Sequence, residues 1–180
     1  MKNALTYGLF MALAGAALLL LMYFLGFHDT PEKMQSVNWV GMVGGIALGA
    51  IFLSLAMRDK RADFPASEDW GYGNALAAGV LTSLFASLFG IVTAYLYFGV
   101  LNPDFSEVTY QMQVKAMEAK GISADAIAKA EPMMRNLMSP VGLVAFQAFF
   151  GFIWSVVLSL IVAIFFRKRE QPAVDAPPAL

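Results

Sequence analysis

Few residues in this sequence carry side chains able to do chemistry, and their positions decide what they can be. His28 is the only histidine, and there is no cysteine. With Asp29 beside it, an imidazole could titrate near neutral pH, but at the end of an apolar run His28 reads as an interfacial polar residue. One histidine without cysteine cannot furnish a usual zinc site. Met112, Met117, Met133, Met134 and Met138 gather in one polar segment. Thioether ligation of Cu(I) is one reading of that cluster. Packing explains it better. Phe105, Val108, Met112 and Ala116 recur at helical spacing, as do Ile127, Met134 and Met138, and such recurrence describes apolar faces. Asp104 and Glu107 share a helix face, which an acidic first turn accounts for. Gln147 is the most polar side chain inside an apolar run. It is expected to hydrogen-bond between helices, with a path-lining role as the competing reading. Ser83, Ser87 and Thr93 are expected to bond to the carbonyl of the preceding turn. No phosphate-cradling glycine loop, GxSxG, HExxH or paired carboxylates occur. The sequence therefore offers no catalytic, cofactor-binding or metal-binding residue, and it reads as non-enzymatic.

The elements that position these residues are apolar spans. Of the 180 residues, 59% are hydrophobic and only 14% charged. A soluble domain carries about a quarter charged residues, so the chain belongs in lipid. A net charge of −1 gives no basic field for nucleic acid. The fold class is an all-α membrane protein: four transmembrane helices in an antiparallel bundle, with a helical extramembrane insert between the third and fourth. The spans are expected at residues 5–27, 37–57, 74–101 and 141–166, each near or above the length that crosses a hydrocarbon core of about 30 Å. A cleaved leader competes for the first span, but cutting at Ala14 or Ala16 would leave Leu18 to Phe27 fully apolar at the new terminus. Residues 1–170 form one domain. Residues 171–180, rich in proline and alanine, read as a disordered cytoplasmic tail.

Basic residues set the orientation. Lys2, the Arg58/Lys60/Arg61 cluster and the Arg167/Lys168/Arg169 cluster fall on one side of four spans. Clusters abutting a span weigh most, so both termini are expected in the cytoplasm. Ser67-Glu68-Asp69 reads as a further helix cap, and Trp70 with Tyr72 suits the headgroup level.

Small residues recur every fourth position in each span. The second has Gly41, Gly45 and Gly49; the third has Ala75, Gly79, Ser83 and Ser87; the fourth has Gly151, Ser155, Ser159 and Ala163. The first, with Gly8, Ala12 and Ala16, is the weakest. Helices in lipid associate through such residues because their backbones approach closely. Tight packing within one chain is the preferred reading over homo-oligomerisation through the glycine stripe. A leucine at Gly45 is then expected to cost about 1–3 kcal/mol by overpacking.

The polar segment 102–140 is the insert. Asn102-Pro103-Asp104 reads as a cap, a first-turn proline and a first-turn acid, Gly121 as a stop, and Ser123 with Asp125 as a second start. Thr30-Pro31-Glu32 reads as another start. Pro132 is expected to kink or end the second insert helix. Phe105, Val108, Met112, Met134 and Met138 form the surface that a partner or the bilayer would meet.

In order along the chain, Tyr7-Gly8-Leu9, "LGFHDT", "AMRDKR", "YGNALAAG", "YFGVLNPDF", "KGIS", "MSP" and "RKRE" resemble the bacterial family of domain of unknown function 4199, found largely in Bacteroidota. The resemblance covers most of residues 1–170. It implies a small integral membrane protein with no assigned activity, and it hints at a membrane-associated glycosyltransferase as neighbour. Two functions follow as expectations: a non-enzymatic membrane protein whose insert docks on a partner or the bilayer surface, or a carrier or flippase-like accessory for an amphiphile. For the second, the polar stripe through Gln147, Ser155 and Ser159 marks the path.

Overall fold

The computed structural model describes residues 1–65 and 70–167. The expected cap at Ser67-Glu68-Asp69, the Lys168 and Arg169 pair and the tail 171–180 lie outside the described residues. Every regular element among them is a helix: α1 (Lys2–Phe24), α2 (Pro31–Ala62), α3 (Tyr72–Leu96) with a π-helical end (Tyr97–Leu101), α4 (Phe105–Ala119), α5 (Ala124–Leu137) and α6 (Pro140–Phe166). Four of them, α1, α2, α3 with its π end, and α6, are long and apolar enough to cross a membrane. Their outward faces carry Leu21, Leu88, Phe149 and Trp154 well exposed. Water would not tolerate apolar faces of that extent, whereas lipid is their proper solvent. The protein is an integral membrane protein.

Helix boundaries follow local chemistry. Thr30 caps α2 by accepting from the Lys33 amide, and Pro31 fills the first turn, where its missing N–H costs nothing. The second helix therefore starts where Thr30-Pro31-Glu32 predicts, ahead of the apolar span expected from Val37. It also runs past Arg58 to Ala62, with Lys60 and Arg61 in its last turn, where cations offset the helix dipole. Ser123 caps α5 and Ser139 caps α6, the latter followed by Pro140. Gly26 and Gly121 end α1 and α4 with φ of 74° and 75°, values costly for any residue with a Cβ. Two expectations are corrected. Asp104, not Asn102, precedes α4 and makes no side-chain cap bond. Of the kink or end expected at Pro132, the end is not made: α5 runs through it to Leu137.

Packing centres on α3, which touches α1, α2 and α6. At the end bearing the α2–α3 connection, Leu53, Met57, Trp70, Ala75, Ala78, Val162 and Ala163 form one buried cluster. Trp70 donates its indole N–H to the Phe166 carbonyl at 2.8 Å and is almost fully buried. It therefore ties α6 down from inside, without the wet edge that a headgroup position would give it. Tyr7 donates to Asp59, and Asn3 donates to Asp63 at 2.6 Å, so α1 is pinned to α2 at the same end.

Candidate functional site

The glycine stripes part company along the helices. Near the buried cluster, a Cβ on Gly79 would stand 2.4 Å from Met57 Cε and 2.9 Å from Ser159. One on Gly8 would meet Phe85 Cβ at 2.7 Å and the Ala86 amide nitrogen at 2.9 Å. Backbones do approach closely there, most of all at Gly8, on the stripe that looked weakest. Gly49 is tight too, with Leu158 Cδ2 at 3.0 Å. Toward the α4–α5 end the picture reverses. Among the described residues nothing outside the local backbone lies within 4 Å of a Cβ built on Gly15, Gly45, Gly90 or Gly151, and Gly41 meets only Met22 Sδ at 4.0 Å. The close approach expected at Gly41, Gly45 and Gly151 is not made.

What these positions line is a cavity of about 370 Å³ walled by all four long helices. Gly15 and Ala12 come from α1, Gly41 and Gly45 from α2, Ser83, Ser87, Gly90 and Thr93 from α3, and Gln147, Gly151 and Ser155 from α6. Small residues make room when neighbouring helices do not close over them, and a volume of this size suits a ligand-binding pocket. Gly45, Gln147 and Gly151 line it and are themselves exposed, so it opens sideways between α2 and α6, toward the lipid.

The hydroxyls in this wall are mostly engaged. Ser83 bonds to the Gly79 carbonyl at 2.9 Å and Thr93 to that of Gly90 at 3.2 Å, as expected. Ser87 instead reaches across to the Ala148 carbonyl of α6 at 3.1 Å. Two groups are left over. Gln147 makes no hydrogen bond among the described residues, contrary to the interhelical bond expected of it, and the Ser155 hydroxyl makes none either. No lining residue is charged.

Aromatic side chains form a second packed layer where α3 meets α4. Tyr97 and Phe98, on the π-helical turn, pack with Ala94, Leu19, Tyr23 and Phe105. A π turn places one extra residue in the ladder and recurs at functional sites; here the Asn102 amide bonds back to the Tyr97 carbonyl at 2.8 Å. His28 is buried in this layer, edge-on to Phe105 with ring centroids 5.1 Å apart. Asn102 Nδ2 donates to Tyr97 Oη at 3.0 Å, and Tyr97 Oη in turn pairs with His28 Nδ1. Asn102, Tyr97 and His28 thus form one hydrogen-bonded chain inside the layer. Burial pushes the His28 pKa below its ordinary value, against the opposing pull of Asp29. Sequence reasoning placed His28 at an exposed interface. The partners that bury it come from residues about seventy positions away, and no local pattern announces them.

A family model described as "Protein of unknown function (DUF4199)" matches residues 6–168. The chain belongs to that family. No curated protein and no solved structure matches it. What a DUF4199 chain does must therefore be argued from its own geometry.

In this DUF4199 chain the residues proposed as a partner surface divide. Phe105 packs on Tyr97 and Phe98, with ring centroids 5.8 and 4.9 Å away, and Met134 is buried. Val108, Met112 and Met138 are half-buried. The face they were expected to offer is largely spent on internal packing. Polar groups fix the α4–α5 pair: Arg135 bonds Glu107 at 2.9 Å and Glu131 at 2.7 Å, and lies 4.1 Å over the Tyr110 ring. The Arg135 bond, followed by that from Gln111, holds the Glu107 carboxyl below its usual range. Lys115 pairs with Glu32, joining α4 to α2. Met133 and Leu137 stay outward, 64% and 56% exposed.

Proposed function

We propose that this protein is a non-enzymatic membrane protein that binds an amphiphile in its intramembrane cavity, as a carrier or accessory to an enzyme acting on such a molecule. One observation carries the reading: four small-residue stripes that should have closed on each other leave a cavity open sideways to the lipid. The four spans are taken as an antiparallel bundle of one domain in a bacterial inner membrane. Both termini are cytoplasmic, because Lys2, Arg58, Lys60, Arg61 and Arg167 stand at one end of the helices. Reporter fusions after Arg61 should then behave as cytoplasmic and fusions near Gly121 as external; the reverse pattern inverts the cavity's leaflet. Lipidomic comparison of protein extracted into native nanodiscs tests binding itself. The wild type should retain a lipid species that Gly151→Leu, whose side chain enters the open space, does not. Identical lipid profiles would overturn the proposal.

A second reading has its own observation. Met133 and Leu137 lie four residues apart on one face of α5, and Val141, at the start of the apolar α6, is 68% exposed. This run of exposed apolar residues beside a span favours docking of the α4–α5 pair on the bilayer surface. Met133→Ser with Leu137→Ser should release a spin label at Lys129 from the headgroup region. Loss of a co-purifying protein at unchanged label depth would mean a partner, or a second copy, covers the face.

A further inference from the structure

Resting on the cavity reading above, we infer that the ligand is an uncharged lipid bearing a hydrogen-bonding oxygen, and that Ser155 binds that oxygen at the deep end of the cavity. The hydroxyls around it provide the comparison. Thr82, Ser83 and Ser159 each bond to the carbonyl one turn earlier, at 2.8, 2.9 and 2.8 Å. Ser155 has the same helical neighbours and makes no such bond. Its side chain lines the cavity with only 9% of the residue exposed. An apolar occupant would leave this hydroxyl unsatisfied. An occupant offering a hydroxyl, ester or ketone oxygen would satisfy it.

The other polar group of the wall constrains the same molecule. Gln147 lies two helical turns from Ser155, about 12 Å along α6, on the exposed mouth of the cavity. Gly151 stands between them and leaves the face open. A ligand lying along α6 can therefore meet a hydroxyl deep in the cavity and an amide at the mouth, with hydrocarbon against Met11, Leu18 and Phe152. Charge is excluded by the same wall. With no cation lining the cavity, a phosphate or carboxylate drawn inside would be desolvated without a counter-charge. The class that fits is a neutral glyceride, long-chain alcohol or quinone-like lipid.

The test uses the full-length protein in phosphatidylcholine nanodiscs. The probe is a monoacylglycerol with a diazirine in its acyl chain, and labelling is mapped by mass spectrometry. Labelling should concentrate on cavity residues of α3 and α6, and excess unlabelled monoacylglycerol should compete while phosphatidic acid should not. Ser155→Ala should weaken labelling about tenfold, the worth of one buried hydrogen bond, and Ser155→Thr, which keeps the hydroxyl, should restore most of it. Gly45→Leu fills the open space and should abolish labelling; Gly151→Leu serves where that variant expresses poorly. Labelling lost in Gly45→Leu but unchanged in Ser155→Ala overturns this inference and leaves the cavity reading standing. Labelling unchanged in both overturns the two together. Stronger competition by phosphatidic acid than by monoacylglycerol overturns the exclusion of charge.

Discussion

The two halves of the four long helices use the same small residues for opposite ends. Toward the α2–α3 connection, Gly8 and Gly79 let backbone and side chains come within distances a Cβ would forbid, and Leu53, Met57 and Ala75 are sealed from solvent. Toward the α4–α5 pair, Gly15, Gly45 and Gly151 face open space in a cavity. A residue without bulk permits contact; it does not create it. What decides is whether the facing helix brings backbone or side chain to that point, and α2 and α6 do so at Gly49 and Leu158 but not at Gly45 and Gly151.

The contrast is broken most violently from the packed side. Gly8→Leu drives a side chain against the Thr82 carbonyl and the Ala86 amide, at 3.0 and 2.9 Å from even a Cβ. Backbone cannot yield as a methionine tip can, so the loss should reach about 3 kcal/mol. Gly79→Leu should cost somewhat less, because the Met57 end can swing aside. Thermal unfolding in detergent checks both. A Gly8 variant as stable as wild type would mean that α1 does not cross α3 as described.

Much of this architecture is written in the sequence. Apolar runs of span length, the caps at Thr30 and Ser123, and the stop at Gly121 are local signals, and the helices form where those signals stand. The cavity was not legible, because a four-residue stripe reads identically whether the next helix closes on it or splays away. For the same reason Phe105 read as a free face: its helical spacing reports an apolar side, while the His28 and Tyr97 rings that cover it come from distant segments. Trp70 misled in the other direction. Its position near a span end suggested a headgroup anchor, yet the Phe166 carbonyl is what it finds.

A middle-sized effect comes from the aromatic layer around His28. His28→Phe leaves the Tyr97 hydroxyl without its imidazole partner and should cost about 1–2 kcal/mol. The same group makes stability depend on pH. Its folded pKa lies below the ordinary 6.5, so below that value the unfolded chain binds more protons than the folded one. The contribution of His28 is therefore complete above 6.5 and declines as pH falls. Unfolding curves at pH 7.5 and 5.5 should show the wild type weakened at the lower pH and His28→Phe nearly indifferent between them. Equal pH sensitivity in the variant would place the titrating group elsewhere.

Smaller still is the ion pair that staples α4 to α5. Both Glu107 and Arg135 are about half exposed, so Glu107→Gln should cost no more than about 0.5 kcal/mol, and less in high salt. The Glu107 carboxyl is held below the usual 4.5. Its contribution is present above that value and disappears as pH falls through the folded pKa. Stability measured between pH 5 and 3 should lose this increment in wild type but not in Glu107→Gln.

The smallest effect on stability is the one that sharpens the comparison most. If Gly45 sat in a closed seam, a leucine there would overpack it and cost about 1–3 kcal/mol. The space around its Cβ position is open, so Gly45→Leu should leave the unfolding temperature within about a degree of wild type. It could even raise it slightly, because a side chain entering the cavity gains packing partners that glycine lacks. Stability and occupancy then separate: Gly8→Leu loses the fold, whereas Gly45→Leu keeps the fold and loses the cavity. Paired measurement of both variants distinguishes a seam from a site. A Gly45 variant that unfolds as readily as the Gly8 variant would show that α2 and α6 close on each other in the membrane, and the small residues of both halves would then have a single role.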